Sequence, residues 1–162
     1  MCGICAFFDP ELKDKDCAIQ GMMDTIKHRG PSSDGKYTND QVALGFRRLS
    51  IIDLRGGSQP IFNEDKSRAI IFNGEIYNFK PLRKELIDAG HTFTTKADTE
   101  VLLHGYEEWG MDGLLKKVRG MFAFVIWDDN TKTLYGARDF FGIKPMSVSY
   151  THLRAHETLS DL

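Results

Sequence analysis

The chain has 162 residues, enough for one domain with a real core, and its 41% hydrophobic and 27% charged residues are ordinary for a globular protein. A formal net charge of −2 argues against nucleic acid or an anionic membrane as the main partner. No apolar run approaches the roughly 20 residues of a membrane helix, and no basic start leads into an apolar segment.

In chain order, Ile4 to Phe8 reads as a short apolar strand stopped at Asp9-Pro10. Ile19, Met22, Met23 and Ile26 recur at helical spacing and predict one face of a helix running to about His28. The cluster Gly30-Pro31-Ser32-Ser33-Asp34-Gly35 predicts a loop. Val42 to Ile52 reads as strand, followed by a turn at Arg55-Gly56-Gly57. Ala69 to Phe72 is a further strand, expected to break at a tight Asn73-Gly74 turn. Asn78 to Ala89 reads as a helix with Leu82 and Leu86 inward and Gly90 as its stop. Asp98 or Thr99 can cap another helix through Leu102, Tyr106 and Trp109, closed by Gly110, and a short helix follows over Leu114 to Val118. Met121 to Trp127 and Thr133 to Arg138 predict a hairpin across Asp128-Asp129-Asn130. Without regular βαβ alternation, the order suits an α+β layered domain with mostly antiparallel sheets.

Several constellations could carry chemistry. After removal of Met1, Cys2 would bear both a thiol and a free α-amine. The amine's reference pKa of about 7.7–8.0 lets it take a proton from the thiol near neutral pH. A buried small residue opening a strand is the competing reading. Cys2 and Cys5 also form C-x-x-C, which zinc or a redox couple could use. No second such pair follows, so no metal site is expected. Three cysteines within the first 17 residues give no disulfide framework and point to a reducing, cytoplasmic setting. Arg47 and Arg48 sit in an apolar strand and must point to opposite faces, so one faces inward or a cleft. Its anionic partner is either a substrate carboxylate or a structural acid. The Asn73 amide and the Gly74 N–H could form an oxyanion hole, or merely an Asn-Gly turn. Asp98 could cap its helix or hold a substrate ammonium.

Taken in order, Met1-Cys2-Gly3-Ile4, His28-Arg29-Gly30-Pro31, Arg48-Leu49-Ser50-Ile51-Ile52-Asp53-Leu54, Gln59-Pro60, Phe72-Asn73-Gly74-Glu75-Ile76-Tyr77-Asn78, Asp98-Thr99-Glu100-Val101, Gly120-Met121-Phe122-Ala123-Phe124 and Arg138-Asp139-Phe140-Phe141-Gly142-Ile143-Lys144-Pro145 closely resemble the N-terminal domain of glutamine-hydrolysing asparagine synthetases. These are class II glutamine amidotransferases. The resemblance covers residues 1–146 and implies a four-layer αββα sandwich of the N-terminal-nucleophile hydrolase type. It implies a glutaminase in which Cys2 attacks the L-glutamine side chain while Asn73 and Gly74 hold the oxyanion. Arg48 would bind the substrate carboxylate, Asp98 and Glu75 its α-amine, and Ile51 and Ile52 would supply backbone contacts. No cofactor is implied for this domain. ATP and magnesium are expected for a C-terminal synthetase domain that turns ammonia and aspartate into asparagine, and the full-length enzyme could be a homodimer. The alternatives are an amidotransferase domain serving another acceptor and a catalytically silent module.

Two positions and one missing motif depart from the family pattern. Ser32 stands where Asp is frequent, and Phe46 where His is frequent. The family's Ser-Gly-Gly-x-Asp-Ser pyrophosphate loop does not occur in this chain. Instead Ser147 to Thr158 resembles translated adapter sequence, so 147–162 is expected to be a non-native tail without regular structure. Two histidines there, His152 and His156, have a metal-compatible spacing but too few companion ligands.

Overall fold

The computed structural model describes residues 2–49 and 58–150. Eleven elements are seen among them: β1 (Gly3–Phe8), α1 (Lys15–Thr25), a 3-10 turn (Lys27–Arg29), β2 (Ser33–Thr38), β3 (Val42–Arg48), β4 (Ile61–Phe62), β5 (Arg68–Ile76), α2 (Phe79–Asp88), α3 (Asp98–Lys117), β6 (Gly120–Asp128) and β7 (Thr133–Arg138). The strands form two sheets with orders β1-β3-β2 and β4-β5-β6-β7, every pairing antiparallel.

Three apolar interfaces stack these elements into four layers. Ile19 and Met23 of α1 pack on Ala43, Cys5 and Phe7. Between the sheets, Val42, Leu44 and Phe46 meet Ala69, Ile71 and Trp127, with Cys2, Ile4 and Ala6 alongside. On the far side, Ile70, Phe72, Phe124 and Ile126 pack under Leu82, Leu86, Leu102 and Tyr106 of the two later helices. The alternation of strand side chains produces this order, because each long strand feeds both of its faces into apolar layers. The αββα sandwich expected from the sequence is therefore present.

Local signals set most boundaries. Asp14 caps α1 by accepting from the Cys17 N–H at 3.0 Å. The helix stops at Thr25 rather than near His28, which lies in the 3-10 turn, and Met22 is exposed while Ile19 and Met23 carry the buried face. At Gly110 the α3 chain leaves helical geometry (φ 67°, ψ 179°), so the expected stop is a kink between two helical stretches. Asn78 joins α2 to the end of α3, its amide donating to Lys117 O and its carbonyl accepting from Arg119 N–H.

The edge strands β2 and β4 both escape the sequence reading. The segment read as loop becomes β2 from Ser33 onward, a polar strand paired with β3. The two-residue β4 has too short an apolar run to be read from pattern. A different failure concerns Asn73-Gly74, which form no turn. The strand continues through them to Ile76, paired with β6 along its length. The predicted end of the Val42 strand at Ile52, and the Arg55-Gly56-Gly57 turn, fall outside the described residues beyond Leu49. Residues 147–150 carry no regular element, and 151–162 lie outside the described residues.

Leu86 and Ile87 are sequence neighbours on α2, 0% and 50% exposed. Leu86→Ala should cost about 2–5 kcal/mol of stability. Ile87→Ala should stay within about 0.5 kcal/mol, both read from urea unfolding midpoints.

Candidate active site

Register assigns the faces. In the β1–β3 ladder Gly3 pairs with Arg47 and Ile4 with Phe46, so one further step sets Cys2 opposite Arg48. Ile4, Phe46 and Cys2 all belong to the layer between the sheets, and Arg48 shares that face by alternation. Arg47 turns the other way. It is 7% exposed under α1, donates to Met23 O, and forms ion pairs with Asp24 and Asp34. The inward arginine that needed an anion is therefore Arg47, and structural acids satisfy it. Gly30 lies against this strand end, where a Cβ would overlap the Arg47 carbonyl and Arg48 nitrogen. Ser32 N–H donates to Arg48 O at 3.0 Å. The His-Arg-Gly-Pro segment thus buttresses the backbone that carries Arg48.

The opposing strand is β5. Ala69 and Ile71 face the inter-sheet layer, so Asn73 and Glu75 continue that face. Asn73 is 5% exposed and Glu75 is exposed. Strand β5 packs against both β1 and β3. Cys2 at the start of β1, Arg48 on β3, and Asn73 and Glu75 on β5 accordingly lie on the facing surfaces of the two sheets. Arg29 adds a tie to the nucleophile strand, its Nε donating to Cys2 O at 3.4 Å.

Backbone polarity along β5 decides what Gly74 can do. Tyr77 N–H donates to Arg119 O, on the β6 side. N–H groups alternate along an antiparallel strand, so those of Phe72, Gly74 and Ile76 point away from β6. Phe72 N–H reaches Gln59 Oε1 at 2.5 Å, and Ile76 N–H reaches Asp98 Oδ2 at 2.8 Å. Gly74 N–H lies between these two anchored donors and points out of the same edge. A Cβ on Gly74 would overlap Met121 O and Phe122 Cα, so the residue is also required by close strand approach.

Asp98 is the first residue of α3, not its N-cap; Ala97 holds that place without a side-chain bond. Burial pushes the Asp98 carboxyl above its ordinary range and the Glu75 charge adds to this, against backbone N–H bonds from Ile76, Asp98 and Thr99. Two carboxylates together favour a cation between them, as an ammonium group would provide.

The C-x-x-C pair does not converge. Cys2 faces the inter-sheet layer and Cys5 the α1 layer, on opposite faces of β1. Burial also raises the Cys5 thiol to about 11, far from thiolate at neutral pH. Gln59 is the residue that sequence reasoning left without a role. Its bond to Phe72 spans 13 positions and has no local signal. Ile51 and Ile52 lie outside the described residues. An open cleft of about 500 Å³, lined by Pro10 to Asp16 and Thr38 to Asp40, sits at the other end of β1 from Cys2 and has no part in this site.

The arrangement defines a class first: a layered α+β domain of two antiparallel sheets between helices, with Cys2 against the inter-sheet layer. The family profile described as "Glutamine amidotransferase domain" matches residues 1–159, and the chain belongs to that family. That match runs past residue 146, where the resemblance by motif ended. Asparagine synthetase [glutamine-hydrolyzing] 1 of Bacillus subtilis is 50% identical over 150 residues, 90% of this chain and 24% of that protein. Asparagine synthetase [glutamine-hydrolyzing] 2 of Arabidopsis thaliana is 40% identical over 152 residues, 93% of this chain and 26% of that protein. The chain thus spans about a quarter of the length of these relatives. Among solved structures, the glutamine phosphoribosylpyrophosphate amidotransferase of B. subtilis aligns with a TM-score of 0.53 and 26% identity over 65% of this chain and 24% of its own. The N-terminal-nucleophile amidotransferase fold is shared with it.

Three variants test the β5 edge. Gln59→Leu leaves a buried N–H unpaired and should cost about 1–3 kcal/mol in urea unfolding, while Gln59→Glu, which keeps an acceptor, should recover most of the loss. Asp98→Asn should raise the melting temperature at neutral pH, since it removes a carboxylate whose charging folding disfavours. A raised carboxyl pKa favours the fold at low pH and is lost as pH rises through it. The gain should therefore vanish on acidification, as the wild-type carboxyl protonates.

Proposed function

We propose that this domain hydrolyses the side-chain amide of L-glutamine through Cys2 as an N-terminal nucleophile. The observation that carries it is the opposition of Cys2 and Arg48 on one inner strand pair to Asn73 on β5, with Gly74 N–H between two anchored neighbours.

With Met1 removed, the Cys2 α-amine takes the thiol proton and Sγ adds to the amide carbon. The Asn73 amide and Gly74 N–H receive the charge that develops on oxygen. Each such donor is worth roughly 10²–10³ in rate when preorganised. The C–N bond then breaks as the proton passes to nitrogen, and ammonia leaves. Water cleaves the thioester to glutamate and restores the thiol. Arg48 holds the substrate α-carboxylate, while Asp98 and Glu75 hold the α-ammonium, the one half-buried and the other exposed. Backbone contacts from Ile51 and Ile52, which lie outside the described residues, belong to the same proposal.

The relatives' printed names, asparagine synthetase [glutamine-hydrolyzing], support asparagine synthesis in a longer protein as the larger reaction. Aspartate as the ammonia acceptor, and ATP and magnesium in a C-terminal synthetase domain, complete this proposal. No cofactor is required for the half-reaction itself. No helix among the described residues is long and apolar enough to cross a membrane. A reducing, cytoplasmic setting suits the free thiols of Cys2, Cys5 and Cys17.

The test is glutamate release from glutamine by the 162-residue chain, with the N-terminal mass determined on the same preparation. Loss of Met1 and a fall of at least about 10³ in Cys2→Ala are expected. Retained Met1 in an active preparation, or equal release by both proteins, would overturn the assignment.

A further inference from the structure

Helix α2 ends in a Schellman motif. Gly90 N–H donates to Ile87 O and His91 N–H to Leu86 O, with Gly90 at φ 106°. This pins the His91 backbone where its ring meets α3. His104 and Glu107 are three residues apart on that helix and share a face. His104 Nδ1 is 2.8 Å from Glu107 Oε2, and His91 Nδ1 is 3.8 Å from the same oxygen. One donor atom from each of the three residues lies within 4.8 Å of the others. A tetrahedral zinc ion with bonds of about 2.0–2.1 Å holds its ligand atoms roughly 3.4 Å apart. The 2.8 Å and 3.8 Å spacings straddle that distance.

The second ring nitrogens are disposed as ligating histidines require. His91 Nε2 is 3.2 Å from Glu108 Oε2. His104 is 1% exposed, and its Nε2 has no hydrogen-bond partner but lies 3.8 Å from Glu100 Oε1. A metal-bound histidine directs its free N–H at a carboxylate; His91 has Glu108 at hydrogen-bond distance, and the carboxylate beside His104 Nε2 is that of Glu100. Glu107 is oriented from behind, since its Oε1 accepts from Asn63 Nδ2 and Arg68 Nη1. Glu100, Glu107 and Glu108 outnumber Arg68, so the cluster has room for positive charge.

We propose that His91, His104 and Glu107 form a binding site for a zinc-class divalent ion. Nδ1 of each ring and Oε2 of Glu107 are the ligands, and water takes the fourth position. The nitrogen-rich donor set favours zinc or cobalt over magnesium or calcium. The site lies on the helix layer, across sheet β4-β5-β6-β7 from Cys2, and is independent of the glutaminase reading. Its effect is to tie the α2–α3 connection to α3, adding to Glu100, which already holds Thr94 and Thr95 through their N–H groups at 2.7 Å each.

Cobalt(II) titrated into the chelator-treated 162-residue chain tests this directly. One ion per chain is expected, with the visible spectrum of a four-coordinate nitrogen and oxygen site, displaced by zinc. Zinc should raise the melting temperature until one equivalent is bound. His91→Gln, at a half-buried connection position, should weaken binding at least roughly ten-fold with an unchanged circular dichroism spectrum. Glu108→Gln, which touches no ligand atom, should weaken it less and serves if His91→Gln fails to fold. Absence of binding, wild-type affinity in both variants, or a thiolate-to-cobalt band would overturn the site. A charged His104 ring between Glu100 and Glu107 would then account for the cluster.

Discussion

The ladder between β5 and β6 runs unbroken from Arg68 opposite Asp128 to Ile76 opposite Gly120. Near its end two glycines, Gly74 and Gly120, let the strand backbones approach so closely that a Cβ on either would overlap the opposite chain. That contact keeps Asn73 and Gly74 inside a strand. Their geometry is then set by pleat and not by a turn: the Asn73 side chain faces the inter-sheet layer, and the Gly74 N–H leaves by the opposite edge from β6. Both groups would be scattered if the chain reversed at this dipeptide.

The rest of the site follows from that edge. Gln59 and Asp98 occupy the donors on either side of Gly74, so the strand is held by side chains from two other segments. Asp98 does this from the first turn of α3, which gives one carboxylate both a backbone anchor and a place beside Glu75. Its raised pKa reflects the conflict between these roles and burial. On the facing sheet a similar division holds for consecutive arginines. Arg47 is neutralised by Asp24 and Asp34 under α1, while Arg48 turns to the inter-sheet side, where its backbone is buttressed by Gly30 and Ser32.

Much of this was legible because strands and helices impose simple periods. The α1 face through Ile19 and Met23, the inward Leu82 and Leu86, the break at Gly110 and the β6–β7 hairpin were all visible in the spacing of apolar residues and turn formers. The opposite directions of Arg47 and Arg48 were also visible. β2 and β4 were not, one being a polar edge strand and the other two residues long. Neither has an alternation for a reader to detect. Asn73-Gly74 misled for a different reason. The dipeptide is a turn signal only when the chain lacks a partner strand, and β6 lies some 50 residues away in the sequence.

By itself the sequence determined the ordered motifs and the α+β class, and it offered candidates for a nucleophile, an amide donor and three charged recognition groups. Local chemistry suffices for that, because residue type and spacing are written along the chain. Only the tertiary structure decided which arginine is structural, that Cys2 and Cys5 face different layers, that Gly74 offers its N–H from a strand edge, and that His91 meets His104 and Glu107. Each of those outcomes depends on which distant segment packs against a given face, and one strand residue cannot specify that without its partner.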